Sequence, residues 1–207
     1  LLMEYLPGRP LDYVTDSWLA SSVFARIHSV LLPEQTSLAG PELVVQANPV
    51  QDIADESLGL LQRYPQHPLR AERKRLLLYH EEVEEMGRRT ASLFRDEPLV
   101  LVNTEVNSHN FIINGCKGRL VDWEKAVISQ RWQDLGHFLV PTTTQWKRDF
   151  IYSRWQKRSF VQGYLQHAGL NMELDEALER TEVLERTILL RALSWCFMAW
   201  YEYTTQD

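Results

Sequence analysis

Between Leu101 and Ala126 the chain reads LVNTEVNSHNFIINGCKGRLVDWEKA, and this stretch constrains the fold more than any other. Phe111 to Ile113 and Arg119 to Val121 are short apolar runs on either side of Asn114-Gly115-Cys116-Lys117-Gly118, whose two glycines can supply positive φ. That pattern is a β-hairpin signal. Glu105 and Asn110 precede the first run and Asp122 follows the second, so closing the hairpin brings Asn110 and Asp122 to one end. An amide oxygen and a carboxylate are hard ligands suited to Mg²⁺, which keeps several waters and takes one or two carboxylates. A turn-capping Asn and a strand-end Asp are the structural alternative for the same pair.

The step from Glu105 to Asn110 equals the acid-to-amide spacing D-x-x-x-x-N of phosphoryl-transfer loops, with Glu in place of Asp. In such loops one carboxylate orients or deprotonates the acceptor hydroxyl, and the amide and a further carboxylate hold Mg²⁺ on the phosphates. Glu124 follows Asp122 by two residues; in an extended segment both side chains point to one side. Glu124 then supports the site or meets a cationic substrate, or else it pairs with Lys125 or Arg131 at the surface.

Four further stretches sit around this loop in a telling order. LLMEYLPGRPL opens the chain, ASSVFARIHSVLLP runs from Ala20 to Pro33, LVDWEKA follows the hairpin, and QDLGHFL spans Gln133 to Leu139. Together with Leu101 to Ile113 they resemble the aminoglycoside phosphotransferase and choline kinase-like family of small-molecule kinases. The family's His-Gly-Asp stands here as Asn103-Thr104-Glu105.

The resemblance implies a mostly helical α+β fold, the C-terminal lobe of a protein kinase-like structure with a small catalytic β-hairpin. It implies a hinge at residues 1–9, where adenine rests against Met3 to Leu6 and pairs with backbone at Glu4 and Leu6. Residues 10–207 are then the helical lobe, with the catalytic loop and metal-binding hairpin at 99–126. ATP and Mg²⁺ are the implied cofactors. Glu105 is the implied catalytic acid, Asn110 and Asp122 the metal ligands, and Asp134 the support of the loop backbone. A nucleotide lobe with a Gly-rich turn and a strand lysine is expected upstream. Neither G-x-G-x-x-G nor G-x-x-x-x-G-K-[ST] occurs, and the first residue is Leu1, so a fragment is expected. Its uncovered apolar start, Leu1, Leu2, Met3 and Leu6, is then a surface for self-association. The alternative is a kinase-like binding or regulatory module with reduced chemistry.

Length and charge agree with one domain or one large lobe: 207 residues can bury a sizeable core. Lys+Arg is 22 against Asp+Glu 28, a formal charge of −6, which argues against nucleic acid as a partner and is compatible with a cationic acceptor. Two cysteines, Cys116 and Cys196, make no disulfide framework, and a reducing cytoplasm suits them. No apolar run reaches the roughly 20 residues that span a membrane.

Elsewhere the periodicity predicts helices. One is capped by Thr15 or Asp16 and runs through His28, with Leu19, Val23, Ile27 and Val30 on one face. Others cover Gln51 to Tyr64, Leu69 to Phe94, Trp132 to Leu139 and Trp146 to His167, with one or two more from Leu174 to Tyr203. Pro33 to Pro49 reads as loop, and no strand is expected after the hairpin. Trp195, Phe197, Trp200, Tyr201 and Tyr203 crowd the last helix around Glu202, either as a site for an ammonium group or as a packed interface.

Overall fold

The computed structural model describes residues 4–32 and 43–205. In chain order the helices are α1 (Ser17–His28), α2 (Pro49–Gln62), α3 (Arg70–Thr90), α4 (Trp132–Leu139), α5 (Pro141–Lys147), α6 (Arg154–Ala168) and α7 (Leu174–Thr205). The strands are β1 (Val44–Val45), β2 (Leu99–Val102), β3 (Phe111–Asn114), β4 (Lys117–Leu120) and β5 (Val127–Gln130). The apolar start expected at Leu1, Leu2 and Met3 lies outside the described residues.

β3 and β4 form the expected hairpin, joined at Gly115-Cys116. Gly115 has φ +57°, the left-handed conformation such a turn needs. The second glycine is not a turn residue: Gly118 lies within β4. The chain's opening segment pairs with this hairpin, since Arg9 exchanges backbone hydrogen bonds of 2.9 and 2.8 Å with Ile113.

A second, three-stranded sheet was not anticipated. β5 lies between β1, which it pairs with in parallel, and β2, which it pairs with antiparallel. These strands have two to four residues, too short for an alternation to emerge from the sequence. β2 enters the loop that carries Glu105 and Asn110, and β5 leaves the Asp122 segment, so the sheet closes the stretch from Leu99 to Gln130 at its base.

The helices differ from expectation in a face, a cap and a break. The buried face of α1 centres on Ala20, Val23 and Phe24, its largest fully buried side chain, and Val30 lies exposed beyond its end. Asp16 does not cap α1 through its side chain. Arg9 takes that carboxylate in a two-pronged ion pair, at 2.5 and 2.9 Å, and the Asp12 N–H donates to it at 2.8 Å. The Arg9 hydrogen bond holds the Asp16 carboxyl below its ordinary range. Finally, Trp146 to His167 is not one helix. α5 ends at Lys147, Arg148 is extended, and the Thr144 hydroxyl donates to the Phe150 carbonyl at 2.5 Å. Ser153 then starts α6 with a capping box to Gln156.

Aromatic rings fill the core between α1, α4, α6 and the hairpin. Phe24 meets Phe111, Phe138 and Phe160 edge-on at 5.6, 5.4 and 6.2 Å between centroids. Each such pair adds roughly 0.5–1.5 kcal/mol beyond area burial. Tyr13 stacks on Phe150 at 5.3 Å, and its hydroxyl accepts the Ser108 N–H at 3.0 Å. The core thus reaches directly into the loop between β2 and β3. α4 approaches α7 backbone to backbone at Gly136, where a Cβ would stand 2.9 Å from the Glu185 nitrogen.

Candidate active site

Every residue of α4 is buried, yet it carries Gln133, Asp134 and His137. Buried polar groups need partners; Gln133 accepts from the Ser129 hydroxyl at 2.6 Å and donates to Gln46 at 2.8 Å. Asp134 is fully buried and its carboxylate accepts the Asn103 N–H at 3.2 and 3.1 Å and the Thr104 N–H at 3.1 Å. His28 Nε2 lies 3.3 Å from its Oδ2, and His28 Nδ1 lies 2.8 Å from the Tyr164 hydroxyl. A carboxylate only accepts, so Nε2 carries the proton and Nδ1 receives the tyrosine's. Burial pushes the Tyr164 phenol far up, which keeps it a donor.

The loop held by Asp134 is bent in an unusual way. Thr104 and Asp122 both have φ +66°. Asp tolerates this region, but a β-branched Thr there is a true outlier. Specific bonds hold both residues: the Thr104 hydroxyl donates to the Lys125 carbonyl at 2.9 Å, and Asn103 Nδ2 donates to the Asp122 carbonyl at 2.8 Å. Asn103 Oδ1 also accepts the Glu105 N–H at 2.9 Å. One buried amide therefore ties the acid of the loop to the acid beyond the hairpin.

Glu105, Asn110 and Asp122 line the same cleft, of about 540 Å³. The Val121 N–H donates to the Asn110 carbonyl at 2.9 Å, which sets Asn110 beside the start of the Asp122 segment. Asn110 Nδ2 donates to the Glu105 carbonyl at 2.7 Å, and its Oδ1 accepts no hydrogen bond among the described residues. The segment after Asp122 is a turn and not extended, yet carboxylate oxygens of Glu105, Asp122 and Glu124 lie within 4.8 Å of one another. Oxygen donors grouped in this way suit a hard divalent cation. Lys125 does not pair with Glu124: its Nζ lies 2.7 Å from Glu105 Oε1. Arg131 turns to Glu97 at 2.8 Å. Glu4 is exposed and Leu6 half-buried in the extended segment that leads to Arg9.

A model of the family described as "Phosphotransferase enzyme family" matches residues 1–183. The chain belongs to the phosphotransferase enzyme family. No curated protein matches it by sequence. Among solved structures it is similar to a choline/ethanolamine kinase family protein from Mesorhizobium loti, with TM-score 0.68 and 17% identity over 98% of this chain and 62% of that one. It is also similar to an ethanolamine kinase from Plasmodium vivax, with TM-score 0.62 and 16% identity over 99% of this chain and 59% of that one. An ADP-bound aminoglycoside phosphotransferase, APH(2'')-Ib, aligns with TM-score 0.55 and 17% identity over 98% of this chain and 65% of its own. The phosphotransferase chain thus spans 59 to 65% of the length of these three structures.

Thr142, Trp146 and Lys147 of α5 and Arg191 and Trp195 of α7 form the wall opposite the loop. Of these the sequence had offered only Trp195; the three from α5 were missed because α5 was read as part of a longer helix, and Arg191 carries no local signal. The pairing of Lys125 with Glu105 was missed as well. The aromatic cluster expected near the end of α7 divides. Trp195 faces the cleft and meets Trp146 edge-on at 6.5 Å. Phe197 and Tyr201 stack on His67 and Tyr64 instead, and Glu202 accepts the Tyr64 hydroxyl, so that part is a packed interface between α7 and the end of α2. A larger cavity of about 790 Å³, between α6 and α7, is lined by paired ions such as Arg158 and Asp175 and lies away from this chemistry.

His137 also lines the cleft. Burial, and then the charge of Arg191, lower its pKa from 6.5 to about 4. Between those values the unfolded chain binds a proton that the folded one refuses. The stability this imidazole contributes is complete above the unfolded pKa and is lost as pH falls through the folded one. The expected loss is roughly 3 kcal/mol at 1.36 kcal/mol per unit. Urea unfolding of the wild type and of His137→Gln at neutral and mildly acid pH checks this: the variant should lose less.

Proposed function

We propose that this chain is the acceptor- and metal-binding C-terminal lobe of an ATP-dependent kinase that phosphorylates a hydroxyl of a small molecule. The observation that carries this reading is the meeting of Glu105, Asn110 and Asp122 in one cleft. Asp122 and Oδ1 of Asn110 would hold Mg²⁺, with Glu124 beside them. The metal, when bound, neutralises charge on the nucleotide phosphates. Glu105 orients the acceptor hydroxyl and takes its proton. As the new O–P bond forms, the bond from the γ-phosphorus to its bridging oxygen breaks and ADP leaves. Backbone at Glu4 and Leu6 receives adenine, and a preceding nucleotide lobe supplies the remaining phosphate contacts. The three-fifths coverage of the similar structures supports that division.

One observation favours a second reading, a kinase-like binding module. The Glu105 carboxylate is engaged by Lys125, which competes with its use as a base. Exchange of Glu105 for Asp separates the two. In a working kinase it withdraws the carboxylate by roughly 1 Å, and turnover with Mg²⁺ and ATP should fall about 10²-fold. The assay is phosphorus NMR of ester formation by the full-length protein with a panel of hydroxyl acceptors. Absence of any phosphoryl ester from wild type and variant alike, with ATP still bound, would leave the binding module.

A further inference from the structure

We propose that the acceptor of this cleft carries a negative charge, a carboxylate or a phosphate, beside the hydroxyl that is phosphorylated. This rests on the kinase reading above and names its substrate class.

The cleft has two chemically distinct walls. The catalytic loop and the Asp122 turn contribute its acids. The facing wall, from α5 and α7, contributes Lys147, Arg191, Trp146, Trp195 and Thr142, and no carboxylate among the described residues. Glu56 accepts from Arg191 Nε at 2.8 Å, while the two Nη nitrogens make no hydrogen bond among the described residues. That leaves half of a guanidinium fork, the geometry that matches carboxylate and phosphate oxygens. Lys147 Nζ stands 5.6 Å over the Trp146 ring and meets no carboxylate among the described residues. The Thr142 hydroxyl is buried and has no partner among the described residues.

A site for an ammonium group would invert this arrangement, with carboxylates backing aromatic faces. Here the acid near the aromatics of α7, Glu202, is turned away to Tyr64 and Arg63. The acid nearest the transferred group, Glu105, already has a cation in Lys125. The overall charge of −6 is therefore a poor guide to this cleft. The local balance on the acceptor wall is positive. Trp146 and Trp195, set edge to face, give this wall apolar surface against which a ring or chain can lie.

The test uses four probes that share a hexose ring and differ in charge: glucuronate, glucose 6-phosphate, glucose and glucosamine. Each is titrated into the full-length protein while the indole NMR signals of Trp146 and Trp195 are followed, assigned through Trp146→Phe and Trp195→Phe. At least one anionic sugar should bind about tenfold or more tightly than glucose and glucosamine. That advantage should fall about tenfold in Arg191→Gln, and also in Lys147→Gln, a second variant in case the first is unstable. The order of glucuronate and glucose 6-phosphate distinguishes a carboxylate from a phosphate. Tightest binding of glucosamine, equal binding of all four, or indole signals that no anion moves would overturn the proposal. The readout needs no nucleotide. A failure here leaves phosphoryl transfer standing, and absent transfer with intact anion preference removes the kinase reading alone.

Discussion

Exchanging Asp122 for asparagine in the full-length protein should reduce phosphoryl transfer by about 10³-fold while leaving the fold intact. Asparagine is the informative choice because position 122 has φ +66°, a conformation that Asn and Asp tolerate better than Ala. The backbone carbonyl that Asn103 grips is unchanged by the substitution. What is lost is the charge that would face the metal and, through it, the phosphates. Asn110→Ala should cost less, because Mg²⁺ keeps waters readily and a carboxylate remains. Two measurements decide the matter: ester formation with Mg²⁺ and ATP, and the thermal midpoint by circular dichroism. Turnover near wild type in Asp122→Asn, with an unchanged midpoint, removes the metal assignment.

Much of this site was legible because it is local. Asn110 and Asp122 flank a hairpin whose turn was read in Asn114 to Gly118; the tighter turn at Gly115-Cys116 sets the register of Phe111 against Leu120. α4 was legible as well, running from Trp132 to Leu139 as read, with Pro141 two residues beyond its end. Other features depend on partners far along the chain. β1 exists because Val44 and Val45 find Val127 and Ile128 of β5, across more than eighty residues, and β5 itself pairs along its whole length with β2. The break between α5 and α6 is made by Thr144 bonding the Phe150 carbonyl, a contact inside an otherwise helical pattern. The Ser153–Gln156 capping box was there to be read, and overlooking it merged the two helices. The wall opposite the loop suffered most from that merger, because it is α5 that presents Trp146 and Lys147 to the cleft.

Thr104 shows a subtler case. It occupies the place that glycine holds in the family's His-Gly-Asp, and its φ of +66° explains why glycine suits that place. A threonine there carries strain that other bonds must hold, and the holders are Asp134 and the Lys125 carbonyl. The sequence displays the substitution but not what compensates it.

That compensation is why Asp134→Asn should be the most destabilising single exchange considered for this chain. The carboxylate sits at full burial and is surrounded by donors: two backbone N–H groups and, by the tautomer argument, His28 Nε2–H. An asparagine can accept through one oxygen only, and its NH₂ must face at least one of those donors. Breaking a buried charged network by changing one partner costs about 3–5 kcal/mol. For a domain of this size that lowers the thermal midpoint on the order of 10 °C. Function should suffer beyond stability. Without Asp134 nothing holds the Thr104 N–H, the loop relaxes from its strained turn, and Glu105 leaves its place beside Asp122. The experiment measures turnover of Asp134→Asn well below its own midpoint, where the chain remains folded. A loss of about 10²-fold or more there separates loop positioning from unfolding. Wild-type turnover in the folded variant would show that the loop keeps its shape unaided, and that Asp134 serves the core alone.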